Sequence, residues 1–423
     1  MKEEFLHYIW KYRLLKTGNL KCCSGEKIEI IKPGTHNFDS GPDFFNAKIK
    51  IDDITWNGNV EIHVNSSDWY SHNHHTNKAF DNVILQAVYH HDKDVYRTNG
   101  QLIPTLVLDF DSRLLTNYEN LLQNKLWIPC EKEIVKIDKF IISQWIEKLS
   151  IERLKEKSDS VNDLLKQNNN NWETAFYTQL ASNFGFKLNS EPFELLAKSL
   201  PLNYLAKHKN NLLQIEALLF GQAGFLIDTG GDEYYNSLQK EYLFLKAKFN
   251  LKPIEKHLWK FLRSRPGNFP TIRIAQFAML IYKSSSLFSK IIESVKPEEI
   301  KKLLLVETSE YWTNHYLFNK VSVNKVKSLG ENSVDILIIN TVIPFLFVYG
   351  KNKRDEKIAT RAIGFLEKIK SEKNSILQSW EKLGIKSNSA QSSQALIHLK
   401  SKYCNIKNCL NCQIGNQVIK IQE

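Results

Sequence analysis

Short apolar runs separated by turn residues fill the first hundred positions of the chain. Apolar residues at helical intervals over residues 3–16 predict a helix. Five later runs predict strands, at residues 28–31, 44–51, 55–64, 83–89 and 102–108. The run 83–89 is almost continuously apolar, which is typical of a strand buried on both faces. With a further helix in the histidine-rich stretch 67–79, this order suits a small mixed sheet with flanking helices.

From about residue 140 onward, the apolar positions recur at helical spacing. The predicted helices lie at residues 140–157, 173–184, 191–200, 211–225, 233–249, 255–264 and 271–296, with several more up to 401. The asparagine-rich residues 167–171 predict a loop, and the apolar run 331–349 predicts a buried helix that ends or kinks at Pro344. The predicted fold class is therefore α+β. It comprises a small mixed-sheet α/β domain at residues 1–112, a large all-α region at 113–401 and a tail at 402–423.

The composition fits a globular protein with a sizeable buried core. The chain has 423 residues, 42% of them hydrophobic, and no run of eighteen uninterrupted apolar residues, which disfavours a membrane span. The first four residues lack the basic and then apolar order of a signal peptide. Cys22, Cys23 and Cys130 are scattered, which fits reduced thiols better than disulfides. We therefore expect a cytoplasmic protein.

The net charge of +11 is unevenly distributed along the chain. Residues 1–110 contain twelve lysines and arginines against fourteen aspartates and glutamates, a charge of −2, so the remainder carries +13. An acidic site can bind a cation, and a basic region can hold a nucleic acid through its phosphates. A lysine-rich, solvated surface without such a partner explains the same distribution.

Asp43 and Glu61 are the candidate metal ligands. Asp43 opens one predicted strand, and Glu61 shares one face of the next strand with His63 because side chains alternate along a strand. If the two strands form a hairpin, the carboxylates can meet, and at about 4 Å they repel by roughly 4 kcal/mol at an effective dielectric of 20. Mg²⁺ or Mn²⁺ would remove that cost and activate a water for attack on a phosphate. A solvent-facing pair on an ordinary strand is the alternative.

Several motifs surround these residues and recur further along the chain. They read Asn37-x-Asp39-Ser40-Gly41-Pro42-Asp43-Phe44, Gly58-Asn59-Val60-Glu61-Ile62-His63, Ser67-Asp68-Trp69-Tyr70-x-His72-x-His74 and Arg263-x-Arg265-Pro266-x-Asn268-Phe269-Pro270-x-x-Arg273. Together with a cysteine-rich tail, they resemble a bacterial family known as DUF2851 over nearly the whole chain.

The first quarter of the chain also resembles the PD-(D/E)XK nuclease superfamily. The shared order is a helix, hairpin strands carrying Pro-Asp and Glu-x-basic, a helix and a strand. The resemblance implies a restriction-endonuclease-like fold, with Asp43 and Glu61 as metal ligands and an acid of the first helix, Glu3 or Glu4, completing the site. The superfamily usually has lysine where this chain has His63. A neutral imidazole can position or deprotonate a water, but it does not supply the charge of lysine.

Histidines and an aspartate follow the candidate metal ligands. Asp68 and His72, four residues apart, would share a helix face beside the site, with His74 close by. They can contact a phosphate or bind a second metal, which would make the protein a histidine and carboxylate hydrolase. The alternative is a polar helix cap, with Ser67 or Asp68 as the N-cap and Trp69 packed beneath it.

Three arginines, Arg263, Arg265 and Arg273, flank a loop with two prolines at a predicted helix start. Guanidinium groups bind phosphate in a bidentate manner, and a helix N-terminus favours anions. These arginines are therefore candidate phosphate ligands. Their alternative role is to tie two helices together through buried carboxylates and carbonyls.

The cysteines Cys404, Cys409 and Cys412 cluster near the end of the sequence. Their spacing, x4 and then x2, matches three ligands of the plant-type iron–sulfur pattern and also suits zinc. A fourth ligand would come from elsewhere in the fold, with these candidates: His398, Cys130, Cys22 and Cys23. Three free thiols on a terminal tail are the alternative.

Three functions are compatible with these features. The first is Mg²⁺- or Mn²⁺-dependent cleavage of DNA or RNA, with Asp43 and Glu61 binding the metal, His63 orienting the water and the basic helical region holding the nucleic acid. The second is a nucleic-acid-binding or scaffold protein on an inactive nuclease fold. The third is a histidine-rich metal hydrolase of a small substrate. No Walker loop, dinucleotide fingerprint or Gly-x-Ser-x-Gly elbow points to another class.

Overall fold

The computed structural model describes residues 1–16, 18–262 and 264–421. A mixed sheet lies in the N-terminal part, and the remainder is largely helical. The predicted fold class, a mixed-sheet α/β part followed by a large helical region, is therefore confirmed.

The chain divides into two compact units. One comprises Met1–Trp145 together with Lys400–Glu423, and the other comprises Ile146–Leu399. The first unit thus takes in both the segment after residue 112 and the C-terminal tail. The predicted three-part division placed its boundaries elsewhere, and whether any segment folds on its own stays a prediction.

The sheet of the first unit has six strands. They are β1 (Ile28–Lys32), β2 (Thr35–His36), β3 (Phe44–Ile51), β4 (Ile54–Asn65), β5 (Val83–His90) and β6 (Thr105–Val107). The order across the sheet is β1, β3, β4, β5, β6, with β2 paired to β3. Pairs from β1 to β4 are antiparallel, whereas β4–β5 and β5–β6 are parallel. The predicted hairpin of residues 44–51 and 55–64 is thus confirmed.

The centre of the sheet is buried on both faces. Residues 59–63 of β4 and 83–88 of β5 are all buried, as predicted for the second of these runs. Gly58 permits the close approach of β5, since a Cβ there would lie 2.4 Å from the Ile84 side chain. A bulge in β3 at Asn46, whose φ is 55°, interrupts the ladder between Phe44 and Ala47 beside the candidate site.

The first unit begins with the helices α1 (Glu3–Lys11), α2 (Asp68–Ser71) and α3 (Ser112–Gln123). α1 buries Phe5, Ile9 and Trp10 and ends five residues earlier than predicted, because Arg13 adopts a left-handed conformation with φ 51°. The predicted helix at 67–79 is only one turn long, since Asn73 is also left-handed and 3₁₀ turns follow.

The helical unit contains most of the remaining helices. α4 (Lys139–Gln167) begins in the first unit's segment and continues into the second. It is followed by α5 (Trp172–Phe184), α6 (Ser190–Ser199), α7 (Leu202–Lys207), α8 (Leu212–Gln222), α9 (Glu233–Phe249), α10 (Pro270–Lys283), α11 (Leu287–Glu293), α12 (Pro297–Leu304), α13 (Glu331–Leu337), α14 (Ile343–Lys353), α15 (Glu356–Lys368), α16 (Ser375–Lys382), α17 (Ala390–His398) and α18 (Gln413–Ile419), the last of which belongs to the first unit. Two short strands, β7 (His315–Leu317) and β8 (Lys320–Val321), pair within this unit. The asparagine-rich residues form the predicted loop between α4 and α5.

The helix predicted at 140–157 extends to Gln167, and two other predicted helices of this unit are shortened or divided. Among the described residues of the range 255–264, the helical part is only the 3₁₀ turn Lys256–Leu258, because Trp259 packs inward and its indole N–H donates to the carbonyl of Ala223 at 2.9 Å. The predicted helix at 271–296 is two helices, since Ser286 adopts a left-handed conformation between them.

A π turn joins α13 to α14 at the predicted Pro344 kink. Proline lacks an N–H, and its ring displaces the carbonyl four residues earlier, which belongs to Asn340. That carbonyl accepts a hydrogen bond from the Asn183 side chain at 3.3 Å. The helix therefore continues past Pro344, and the distortion takes the form of the π turn Ile338–Val342.

The continuous helix Glu331–Lys353 is long and apolar enough to span a membrane by length and composition. Within its most apolar window, 67% is buried inside the protein. Such burial is typical of a core helix, and α14 contributes Phe345, Leu346 and Val348 to the large apolar core of the helical unit.

Candidate active site

Asp43 and Glu61 lie side by side at the junction of β3 and β4. The backbone N–H of Asp43 donates to Glu61 Oε2 at 3.1 Å, and the N–H of Ile62 donates to Asp43 Oδ2 at 2.9 Å. His7 of α1 approaches the same Asp43 oxygen, with its Nε2 3.3 Å away. Two carboxylates from neighbouring strands therefore converge, each held by a main-chain donor.

The loop before β3 presents Asp43 in a defined position. The Asn37 side-chain amide donates to the carbonyls of Asp39, Ser40 and Pro42 at 3.0 to 3.2 Å. The backbone N–H of Asn37 donates to the Asp43 carbonyl at 2.7 Å. Asn37 thus holds the loop in one conformation through these hydrogen bonds, which explains its fixed distance along the chain from Asp43 in the motif.

Three imidazoles surround the Glu61 carboxylate or lie next to it. Ligand nitrogens of His63, His72 and His74 all lie within 4.8 Å of one another. Glu61 Oε1 is 3.2 Å from His74 Nε2 and 3.7 Å from His63 Nε2, in both cases outside hydrogen-bond alignment. His63 is 1% exposed and its Nε2 has no hydrogen-bond partner. A buried, unpartnered ring nitrogen beside a carboxylate is costly unless a ligand engages it.

A buried glutamine holds the other side of the His63 ring. Gln86 pairs with Glu61 across β4 and β5, and its amide nitrogen lies 3.1 Å from both His63 Nδ1 and the Ser66 carbonyl. The Thr105 hydroxyl approaches the amide oxygen at 3.4 Å. Because the Ser66 carbonyl can only accept, the amide nitrogen faces it and donates to His63 Nδ1 as well. The neutral His63 ring therefore carries its proton on Nε2, which faces Glu61.

Gln86→Leu is expected to lower the free energy of unfolding by about 1–3 kcal/mol, because it leaves His63 Nδ1 buried without a donor and removes one donor from the Ser66 carbonyl, which keeps the Trp69 N–H. Denaturant titration followed by circular dichroism measures the change. Gln101→Leu, the same exchange at an exposed position of the same unit, is the control and should change stability little. Equal effects of both variants would contradict the assigned hydrogen bonds.

The titratable groups of the site influence one another strongly. Burial and the adjacent Asp43 raise the pKa of Glu61 to about 9. Burial alone would raise the pKa of Asp43, but His7 and the Ile62 N–H outweigh it and hold the pKa below its usual value. Burial lowers the pKa of His63 to about 3, with His74 and His72 adding to the effect, and burial also lowers the pKa of His74. Without a bound cation, the pair thus holds one negative charge and one proton.

A family model described as "Protein of unknown function (DUF2851)" matches residues 3–375 of the chain. The chain belongs to the DUF2851 family. The resemblance to DUF2851 is therefore confirmed over residues 3–375, which exclude the cysteine-rich tail, and the matched region includes every residue named above at the site. No curated protein and no solved structure matches the chain.

Asp68, in this DUF2851 protein, serves as a local structural residue. Its Oδ2 accepts hydrogen bonds from the backbone and side chain of Asn65, at 2.9 and 3.4 Å. Ser67 occupies the N-cap position of α2 without a side-chain cap bond, and its side chain donates to Asp92 instead. Trp69 is fully buried beneath the turn. The packing predicted for Trp69 is confirmed, and a phosphate-binding role of Asp68 stays a prediction.

The arginine motif of the DUF2851 chain lies in the helical unit. Arg263 is outside the described residues, and Arg265 is exposed. Arg273 is buried on α10, where its guanidinium bonds to the side chains of Gln276, Asn268 and Ser333 and stacks 4.2 Å from the Phe186 ring. These partners are neutral amide and hydroxyl oxygens, which agrees with the carbonyl part of the tying role considered from the sequence and not with its carboxylate part. A cavity of about 380 Å³ adjoins Arg265 and Arg273.

Three site residues of this DUF2851 protein were not singled out as such from the sequence, or only loosely. Glu3 and His7 are four residues apart on α1 and both reach the Asp43 carboxylate electrostatically; burial and Asp43 raise the pKa of Glu3. Glu4 instead lines a cavity that His7 also lines. Gln86 is the one polar residue in the apolar run of β5, a signal that points to a buried hydrogen-bonding role.

Proposed function

We propose that this DUF2851 protein is a divalent-metal-dependent phosphodiesterase that cleaves nucleic acid. The observation that carries the proposal is the convergence of Asp43 and Glu61 from antiparallel strands, beside buried imidazole nitrogens that lack partners. Carboxylate oxygens are the ligands that Mg²⁺ and Mn²⁺ prefer, and a cation would replace the proton that Glu61 holds.

Each side chain has a part in the proposed reaction. Asp43 and Glu61 would hold the cation, which, when bound, polarises the scissile phosphate and lowers the pKa of the attacking water. His63 would donate from Nε2–H to that water or to a phosphate oxygen, and Gln86 orients the ring for this. Because the pKa of His63 is lowered to about 3, the ring acts as a neutral donor and does not replace the positive charge of lysine.

A cleft beside the site has the chemistry of a nucleic-acid groove. Its volume is about 540 Å³, and His7, which contacts Asp43, lines one end together with His36. Its other lining residues include the cations Lys2, Lys11 and Lys407 and the exposed rings of Tyr12 and Phe38, together with neutral residues and one acid, Glu4. Lysines attract phosphates, and exposed rings stack on unpaired bases. This combination favours a single-stranded substrate.

The helical unit supplies a further candidate phosphate contact in the proposal. Burial lowers the pKa of Arg273 to about 10, yet among the described residues no carboxylate is bonded to its guanidinium and its Nε has no partner. A buried cation of this kind favours an anion in the adjoining cavity, where Arg265 is exposed. Asp68, His72 and His74 are proposed to contact the phosphate near the metal.

A second candidate function rests on the three clustered histidines. His63, His72 and His74 could hold zinc together with Glu61, as in a hydrolase of a small substrate. This arrangement requires His63 to coordinate through Nε2, which carries the proton as long as Gln86 donates to Nδ1. The carboxylate-centred site is therefore preferred.

These functions can be tested by incubating the purified protein with labelled single- and double-stranded DNA and RNA. Each substrate is incubated with Mg²⁺, with Mn²⁺ or with a chelator. Cleavage that needs the added cation supports the proposal. Binding with a steep salt dependence and no cleavage would identify a scaffold on an inactive nuclease fold. Bound zinc that is lost in His74→Ala, without affinity for nucleic acid, would support the small-substrate hydrolase.

We also propose a cytoplasmic location, which the six free cysteines favour.

A further inference from the structure

The C-terminal tail is attached to the segment that carries Cys130. The Asn117 side chain donates to the carbonyls of Ile419 and Ile421 at 3.1 and 3.2 Å. Lys407 donates to the Leu122 carbonyl, and Lys400 donates to the carbonyl of Trp127, three residues before Cys130. Both segments belong to the first unit, so a residue distant in sequence is held beside the tail.

Four cysteines come together through this attachment. The Cys130 thiol interacts electrostatically with those of Cys404, Cys409 and Cys412. Cys130, Cys409 and Cys412 are buried, and Cys404 is half-buried. Burial raises the pKa of each of these thiols, that of Cys409 to about 12. Thiols in such surroundings are poor nucleophiles, which disfavours a reactive or redox-sensing role.

Cys412 lies beside polar N–H groups at the start of α18. Cys412 is the N-cap residue of α18 without a side-chain cap bond; burial raises the pKa of its thiol, and the nearby backbone N–H groups of Ile414 and Gly415 and the indole of Trp145 partly offset that effect. Gly415 has no side chain because a Cβ there would lie 2.4 Å from the Cys409 carbonyl oxygen. A neutral thiol is a weak acceptor, whereas N–H donors stabilise a metal-bound thiolate.

The spacing of the sulfur atoms distinguishes between metals. Four thiolates on one zinc ion lie about 3.8 Å apart, given a Zn–S bond of about 2.3 Å in a tetrahedron. Among the residues that the structure describes, the three histidines of the candidate active site are the group whose ligand atoms lie within 4.8 Å of one another, and no three of these sulfurs do so. A cluster with bridging sulfides accommodates wider spacing, and the x4 and x2 separations agree with it.

We propose that Cys130, Cys404, Cys409 and Cys412 bind an iron–sulfur cluster that fastens the C-terminal tail to the first unit. Cys130 is the fourth ligand. His398 instead approaches Glu152 and Glu156 of α4, within the helical unit. Cys22 bridges to β6 at Leu106, and Cys23 is exposed beside it. The cluster and the proposed nuclease centre use different ligands and are tested by different measurements, although Lys407 and Cys409 also line the proposed nucleic-acid cleft.

Iron, acid-labile sulfide and zinc should be measured on the full chain purified without oxygen. We expect iron and sulfide in similar amounts together with visible absorption, and their loss in Cys130→Ser and in Cys412→Ser. Cys23→Ser is the control and should keep both. Circular dichroism shows whether each variant folds. The metal content of the wild-type protein tests the proposal even if a variant does not fold.

Zinc without sulfide in the wild-type protein, or neither metal, would overturn the cluster. Iron and sulfide that remain in a folded Cys130→Ser variant would overturn the assignment of the fourth ligand. If the cluster holds the two segments together, its removal by a chelator should unfold the chain. A protease should then cleave the tail.

Discussion

Asp43→Asn and Glu61→Gln are each expected to lower Mn²⁺-dependent cleavage of nucleic acid by at least about 100-fold, because each removes a metal ligand, and even residues that only support ligands contribute about 10- to 100-fold. The folded structure should tolerate both changes. An amide oxygen at position 43 still accepts the Ile62 N–H, and one at position 61 still accepts the Asp43 N–H. Initial rates at saturating Mn²⁺, with unfolding curves for each variant, measure the effect.

Asp39→Asn is the matched control for these variants. It makes the same exchange four residues earlier in the same loop, at an exposed side chain outside the pair of carboxylates. Full activity in this variant, with loss in the other two, assigns the cleavage to the site. Activity that survives both Asp43→Asn and Glu61→Gln in folded protein would refute the proposed metal ligands.

Binding of Mn²⁺ near pH 7 is expected to release about one proton per cation or more. Burial and Asp43 raise the pKa of Glu61 to about 9, so the metal-free protein holds this carboxyl protonated, and a cation displaces the proton. Asp43 raises the pKa of His7 against the effect of burial. A cation that binds Asp43 therefore also favours loss of the proton from His7. The apparent affinity should therefore rise by up to about tenfold per pH unit below the Glu61 pKa. Calorimetry in buffers of different ionisation enthalpy counts the protons.

The raised pKa of Glu61 also makes the stability of the metal-free protein depend on pH. The pKa of Glu61 is raised from 4.5 in the unfolded chain, so its contribution to stability is complete below 4.5 and is lost as the pH rises through about 9. Mn²⁺ should offset this loss at high pH. Glu61→Gln should abolish both the proton release and this part of the pH dependence. Cation binding that is independent of pH between 6 and 8 would contradict the prediction.

Local sequence patterns carry much of the fold. The alternation in β3 and β4 and the apolar run of β5 suffice to predict the central strands, because burial on one or both faces leaves a direct mark on residue type. The spacing in α9 predicts a helix with the observed bounds, Glu233–Phe249. Predictions failed where single residues adopt left-handed conformations, as at Asn73 and Ser286, because side-chain periodicity does not report backbone angles.

Hairpin pairing follows from two strands joined by a short turn, and for that reason the meeting of Asp43 and Glu61 could be anticipated from adjacent segments. The partners of those residues come from elements that are distant along the chain. His7 reaches Asp43 from the first helix, and Gln86 reaches His63 from a parallel strand. Sequence spacing holds no information on which of several polar residues meets them.

The cysteines illustrate the same division. Cys404, Cys409 and Cys412 are close in sequence, and their spacing alone suggests a metal site, but four other residues were equally eligible as the fourth ligand. Cys130 is one of those four, and only the folded chain favours it over the other three, because the packing of the tail against residues 113–136 is a long-range contact. Local periodicity and motif spacing are properties of neighbouring residues, whereas the composition of a buried site depends on which distant surfaces exclude water together.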